Sequence, residues 1–195
     1  MSATTTIQTK VGAVEFLLPN FDGIPESLRQ VKTALWRAEP KLSNDGTQSL
    51  KPNGRPRVNK SPKNAAGINI SKSKPEQWMA HDQARAAFDP VRFTGVGVLL
   101  QAGCGLVGID LDDVKDLLQS NPKIKGIIAK VKQTGIYCEM SPSSTGLRML
   151  VQGVLPNNAG KRKDGVELYS DAAFLTVTGV HAWPGEVHQP ATELL

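Results

Sequence analysis

Aromatic residues, cysteine and long apolar runs are all scarce in this chain. Aromatics make up 5% of its 195 residues, so a core has to be built mainly from aliphatic side chains. Cys104 and Cys138 show no CxxC spacing and no nearby histidine. That argues against a disulfide framework or a zinc site, and for reduced thiols in a cytoplasmic protein. No apolar run approaches the roughly 20 residues that a membrane helix needs, so no membrane partner is expected. The opening Met-Ser-Ala-Thr-Thr-Thr has no basic stretch ahead of an apolar one, so no signal peptide is expected either. Gly-x-x-x-x-Gly-Lys-Ser/Thr is absent, so any P-loop motor lies elsewhere. Internal repeats and low-complexity tracts are absent as well.

What the chain does have is an uneven charge. Its net charge is +5, with 39% hydrophobic and 21% charged residues, a globular composition. Residues 1–75 hold twelve Lys and Arg against five Asp and Glu, while the remainder holds eleven against thirteen. A basic half beside an acidic half suits a polyanion running past a metal centre. The plainer alternative is a basic face that only aids solubility.

The central stretch is Gly-Val-Gly-Val-Leu-Leu at 95–100, a Gly-containing turn, then Leu-Val-Gly-Ile-Asp-Leu-Asp-Asp at 106–113. Two apolar runs around such a turn predict a β-hairpin. Side chains alternate across a strand, so Asp110 and Asp112 point to one face, and Val107, Ile109 and Leu111 point to the other, into a core. Gly108 shares the carboxylate face and is expected to keep the approach open. Two adjacent acids repel unless a cation lies between them, and oxygen ligands suit Mg²⁺ or Mn²⁺. The alternative is a solvated strand end carrying two surface acids.

Upstream, Pro25 near the start of a short helix is followed by a strand through Thr33-Ala34-Leu35-Trp36-Arg37. Residues 41–63 carry Lys41, Lys51, Arg55, Arg57, Lys60 and Lys63 against Asp45 alone, punctuated by Pro52, Gly54, Pro56 and Pro62. This predicts a basic loop with a short strand at its end, able to hold a phosphate backbone or simply solvated. Ser73-Lys74-Pro75-Glu76 predicts the start of a helix that runs on through Trp78 and Phe88. Trp78 is read as core.

Downstream, a helix continues from Asp113, and Ile124, Ile127, Ile128 and Val131 form an apolar stripe on the next one. Its lysines are read as a solvated face. Residues 135–139 and 147–151 predict strands around the hydroxyl-rich turn Ser141-Pro142-Ser143-Ser144-Thr145-Gly146, with Arg148 facing away from Leu147, Met149 and Val151. Turn amides, hydroxyls and an Arg can cradle phosphate. Lys161-Arg162-Lys163 lies in a polar loop. Val166-Glu167-Leu168-Tyr169 places Glu167 and Tyr169 on one strand face, and 173–179 is expected to pair with it. His181 and His188 lack metal-ligand spacing and are read as surface or structural. The fold expected from these elements is α/β (α+β). A central, mostly antiparallel sheet carries the hairpin and the 136–179 strands, with the 123–133 helix against it. A smaller N-terminal α/β part packs alongside across a cleft.

The order of these motifs resembles the primase-polymerase (bifunctional DNA primase/polymerase) domain of the archaeo-eukaryotic primase superfamily, in its phage and plasmid form. The resemblance spans roughly residues 24–180. It implies the primase-like fold, with an RRM-like catalytic sheet. It divides the chain into an arm at 1–23, a domain at 24–180 (basic part 24–92, catalytic sheet 93–180) and a tail at 181–195. It further implies a nucleotidyltransferase that makes or extends primers on single-stranded DNA from NTPs or dNTPs, in company with a replicative helicase. Asp110, Asp112 and Glu167 match its metal-binding carboxylates, for Mg²⁺ or Mn²⁺. Residues Ser141, Ser143, Ser144, Thr145, Gly146 and Arg148 match its phosphate-contacting motif. Lys161, Arg162, Lys163 and Thr178 are added as nucleotide-binding candidates, and Arg55, Arg57, Lys60 and Lys63 as DNA-binding ones. Two positions depart from the family pattern, which commonly has Gly at Ser144 and His at Arg148. An Arg binds phosphate bidentately but does not titrate near neutral pH, which raises a binding-only domain of the same fold as the alternative. Asp-x-Asp-Asp after an apolar strand also resembles haloacid-dehalogenase phosphatases. About a hundred residues precede it here, and Glu167 is not that family's acidic pair.

Overall fold

The computed structural model describes residues 8–11, 14–155, 161–163 and 165–188. Parts of the expected arm, polar loop and tail therefore lie outside the described residues. The elements run β1 (Gln8–Val11), β2 (Val14–Leu17), α1 (Glu26–Arg29), β3 (Thr33–Pro40), β4 (Val58–Lys63), α2 (His81–Ala87), β5 (Gly95–Leu100), β6 (Leu106–Leu111), α3 (Val114–Ser120), α4 (Pro122–Gln133), β7 (Cys138–Met140), β8 (Leu147–Gln152), β9 (Lys161–Lys163), β10 (Val166–Tyr169), β11 (Ala173–Val177) and β12 (His181–Trp183). This is an α+β fold built on antiparallel sheets with few helices.

The two apolar runs around residues 101–105 do not pair. β5 belongs to a four-stranded sheet ordered β11-β5-β3-β4, and β6 to a six-stranded sheet ordered β12-β7-β8-β6-β10-β9. Every residue of both strands is buried, which fits central strands covered on both faces better than the half-solvated arms of a hairpin. Gly103 and Gly105 take φ values of 80° and 68° in the turn, where the chain crosses from one sheet to the other. β10 and β11 separate in the same way. β10 pairs with β6 and β9, while β11 pairs with β5. One expected sheet is thus two.

Their stacking fills the interior. Val107, Ile109, Leu111, Leu147, Met149 and Val151 cover one face of the six-stranded sheet and pack on Ile124 and Val131 of α4, as the stripe predicts. Asn121 caps α4 by accepting from the Lys123 N–H at 3.1 Å. The other face meets the four-stranded sheet, where Leu106, Tyr137 and Leu150 join Leu35, Val96, Val98, Leu100, Leu175 and Val177. A Cβ on Gly108 would lie 2.7 Å from Leu175 Cδ2. Gly108 therefore admits a core leucine instead of opening an approach. On the far side of the four-stranded sheet Trp78 packs with Ala34 and Leu99. The helix expected from Ser73 forms only a single 3-10 turn at Pro75–Gln77 and restarts as α2 at His81, because Met79 between them exchanges backbone hydrogen bonds with Thr33 at 2.8 and 2.9 Å. Phe16 meets Trp36 edge-to-face at 5.6 Å, so residues 14–17 pack into the fold. His181 Nε2 lies 2.6 Å from the Gly23 carbonyl, a structural role.

Leu175 is 2% exposed between the sheets, whereas Leu118 on α3 is 40% exposed. Leu175→Ala is expected to lower the unfolding free energy by about 2–5 kcal/mol, and Leu118→Ala by less than about 0.5 kcal/mol. Urea denaturation of both variants checks the inter-sheet core, and equal losses would contradict it.

Candidate functional site

Strand register lines up one transverse row of polar residues across the six-stranded sheet. Glu167 on β10 stands opposite Asp110 on β6. Asp110 stands opposite Arg148 on β8, Arg148 opposite Glu139 on β7, and Glu139 opposite His181 on β12. Directly opposed residues project to the same face, so each neighbour in the row feels the next. Arg148 donates from Nε and Nη2 to the two Asp110 oxygens, both at 3.3 Å. Its Nη1 donates to the Thr176 carbonyl and hydroxyl on the other sheet. At 4% exposure it is buried. Burial works against its charge, but Asp110, then Glu139 and Asp112, outweigh that and raise its pKa.

Glu139 is fully buried. It accepts from the Tyr137 hydroxyl at 2.6 Å and from the Thr178 and Gly179 N–H groups at 3.0 and 2.9 Å. Burial pushes its carboxyl above the ordinary range, and those donors with Arg148 oppose the shift without cancelling it. Glu167 accepts from the Tyr169 hydroxyl two residues on, the shared face expected of that strand.

The basic segment before β4 folds back on the end of β6. Lys51 Nζ lies 2.8 Å from Asp113 Oδ2 and 3.5 Å from Asp112 Oδ2. Arg55 Nη1 donates to Asp113 Oδ1 at 3.1 Å, and Asn53 Nδ2 donates to Asp116 at 3.1 Å. Burial works to raise the Asp113 pKa, but Lys51, Thr145 and Arg55 outweigh it and hold the carboxyl below its usual value. A cavity of about 630 Å³ opens here, with Lys51, Arg55, Arg57 and Lys60 on one wall and Asp112, Glu167, Ser143 and Thr145 on the other. Lys60 is half-buried, and its amine is lowered to about 8, first by burial and then by the Arg148 charge, against Asp110 and Asp112.

The structure thus brings Asp110, Asp112, Glu167, Ser143, Thr145, Arg55, Arg57 and Lys60 to one region. Other candidates are engaged elsewhere. Arg148 is turned to Asp110 and Thr176. Buried Ser141 accepts from the Gly146 N–H at 2.9 Å, and Thr178 donates to the Met140 carbonyl at 2.8 Å. Lys63 bonds Asn69 at 2.7 Å and pairs with Glu39 at 3.1 Å. Ser144 is exposed with φ 59°. Gly146 lies where a Cβ would stand 2.4 Å from the Leu111 carbonyl, so it seats the turn against the end of β6. Lys163 is exposed, and the side chains of Lys161 and Arg162 lie outside the described residues. Lys51 stands out in the sequence only as one of the basic residues of the 41–63 loop, and the sequence assigns no site role to Asp113 or Glu139. A lone Glu inside the apolar run Ile136-Tyr137-Cys138-Glu139-Met140 was a signal for the last, since a buried acid requires partners. No such signal marks Lys51 among its basic neighbours.

Carboxylate oxygens are the right donors for a hard divalent ion. Asp110 and Glu167 are directly opposed, and Asp112, just past the end of β6, lines the same cavity as Glu167, so the chemistry of the donor set fits. Each carboxylate also has a resident partner: Arg148 for Asp110, Lys51 for Asp112 and the Tyr169 hydroxyl for Glu167. Among the described residues no three His, Cys, Asp or Glu side chains converge as a ready-made cage.

Comparison with known proteins bears on the chain as a whole. The chain is 33% identical over 120 residues to the DNA primase-polymerase of Nitratiruptor phage NrS-1. The match covers 58% of this chain and 16% of that protein's length, which supports a primase-polymerase relationship. No protein-family model matches the chain. Among the described residues no helix is long and apolar enough to cross a membrane.

Arg148→Ala would strand Asp110 without its buried cation and leave Glu139 only its neutral donors, and is expected to cost about 3–5 kcal/mol in denaturant unfolding. For Lys60, the folded-state value near 8 lies below the ordinary 10.5. Its buried charge is therefore a penalty that is complete below pH 8 and relieved as pH rises toward 10.5. Lys60→Met should raise stability at pH 7 by about 1 kcal/mol, with the gain fading across that window. A gain that ignores pH would place the amine in ordinary solvent.

Proposed function

We propose that this chain carries the catalytic domain of a template-dependent nucleotidyltransferase, a DNA primase-polymerase of the archaeo-eukaryotic primase type. It synthesises or extends primers on single-stranded DNA from NTPs or dNTPs during replication of a mobile element in the cytoplasm, alongside a replicative helicase carried elsewhere. The observation that carries this reading is the cavity itself. Acidic residues of one sheet face stand against a basic arm, with the hydroxyl turn between them, and the alignment with the phage protein supports it.

In this reading Asp110, Asp112 and Glu167 hold Mg²⁺ or Mn²⁺. Ions bound there would lower the pKa of a primer 3′-hydroxyl and balance charge on the departing pyrophosphate. The chain's own residues do the rest. Arg148, fixed by Asp110 and Thr176 and backed by Glu139, holds the Asp110 carboxylate at one orientation. Tyr169 does the same for Glu167 through its hydroxyl. Ser143 and Thr145 offer hydroxyls, and Arg57 and Lys60 positive charge, to phosphate entering the cavity. Base pairing supplies sequence specificity, so no base-reading motif is required.

One observation favours a second reading, a nucleotide- or DNA-binding module without catalysis. The guanidinium of Arg148 already occupies both oxygens of Asp110. Incorporation of labelled nucleotides on single-stranded DNA, primed and unprimed, in Mg²⁺ and in Mn²⁺, separates the two. Metal-dependent products are expected from the native chain and none from Asp110→Ala/Asp112→Ala. Template binding with no product from either protein would establish the binding module.

A further inference from the structure

The arm that reaches β6 divides what would otherwise be one groove. Beside the 630 Å³ cavity lies a second, of about 590 Å³, bordered by Ser144, Gly146, Val114 and Lys115. Asn53, Arg55, Asp113, Asp116 and Thr145 line both. The partition between the cavities therefore includes the polar contacts from Asn53 to Asp116 and from Arg55 to Asp113, with Lys51 and Asp112 beside it on the first cavity. These are not contacts of a packed core. The Lys51 side chain is 27% exposed and that of Arg55 is 39% exposed, with Asp112 at 44%. Asp113, which takes the two shorter contacts, is 16% exposed, while the Lys51–Asp112 pair is of the open, weak kind, worth about 0–1 kcal/mol, and a competing anion can replace the carboxylate there.

We propose that Lys51 and Arg55 are the triphosphate-binding residues of this site, and that they bind by exchanging Asp112 and Asp113 for the phosphates of a nucleoside triphosphate. The inference rests on the nucleotidyltransfer reading and reassigns Arg55 from template to nucleotide. Arg55 reaches Asp113, next to Asp112 on the turn that ends β6, so it lies beside the cavity wall where a triphosphate joined to the proposed ion would enter. Phosphate offers both cations a ligand of higher charge than a carboxylate. Hydroxyls of Ser143 and Thr145 line the same cavity from the facing wall.

The exchange couples two ligands. With Lys51 Nζ 3.5 Å from Asp112 Oδ2, a divalent ion arriving alone at Asp112 meets an ammonium in its place, and like charges at that range repel. A triphosphate draws Lys51 away and leaves Asp112 to the ion. Each ligand therefore strengthens the binding of the other, and the coupling is reciprocal. An arm that merely held the fold together would predict something else, since loosening it would weaken both.

Two titrations on the full chain without DNA test this, Mn²⁺ alone followed by paramagnetic resonance of the free ion, and dATP in excess Mn²⁺ followed by calorimetry. Lys51→Ala is expected to tighten binding of Mn²⁺ alone by about 3- to 10-fold and to weaken dATP binding by about 10-fold or more, opposite signs from one substitution. Arg55→Ala, whose side chain contacts Asp113 and not Asp112, should weaken dATP by about as much and change Mn²⁺ alone by less than about twofold. Tryptophan fluorescence of the buried Trp36 and Trp78 reports that both variants are folded. If Lys51→Ala weakens both ligands, or leaves dATP within about twofold of the native chain, the arm is structural and the inference falls while the nucleotidyltransfer reading stands. If the native chain takes up no dATP with Mn²⁺, both fall together.

Discussion

One guanidinium holds the two sheets and the candidate site in a single arrangement. Arg148 grows from the six-stranded sheet, grips Asp110 on the neighbouring strand and reaches across to Thr176 on the other sheet. A buried Arg is tolerable only where its charge and donors are met. Asp110 meets part of that need, Thr176 another, and Glu139 adds its charge from behind. Remove one member and the others are left charged or unpaired in a region otherwise filled by leucine and valine. The row therefore has to form as a unit. It can do so because antiparallel register brings residues far apart in sequence directly opposite one another.

A graded exposure follows from that arrangement. Glu139 is sealed, Asp110 is nearly so, and Asp112 stands open at the cavity wall. The deepest acid is committed to partners within the fold, the outermost faces the cavity, and Asp110 lies between the two settings. Asp113, in the left-handed region at φ 49°, turns the chain at the boundary and gives the basic arm something to rest on. Strained backbone of this kind persists where its surroundings over-determine it, and here two cations and Thr145 do so.

Much of this was legible in the residues, for local reasons. Alternation placed Asp110 opposite in sense to Ile109 and Leu111, and Arg148 opposite to Leu147 and Met149. A 3.6-residue period marked the face of α4. Non-local choices were hidden. The runs 95–100 and 106–111 read as a hairpin because adjacency in sequence usually means adjacency in space. Burial of every residue in both strands was the contrary sign, and it cannot say which sheet each strand joins. The helix expected from Ser73 gave way to backbone pairing between Met79 and Thr33, a long-range contact that no capping pattern foretells. Site residues divided likewise. Spacing on strands put Asp110 and Glu167 each on a definite face, while Lys51 and Arg55, legible only as members of a basic loop, lie on an irregular arm whose landing point depends on the finished fold.

The span of Arg148 also sets a distance. Its reach from Asp110 to Thr176 acts as a ruler between two layers, and the gap suits a side chain of that length. An imidazole at position 148 would be too short to touch both ends, so the layers would lose this tie and keep only their apolar packing to fix the spacing between them.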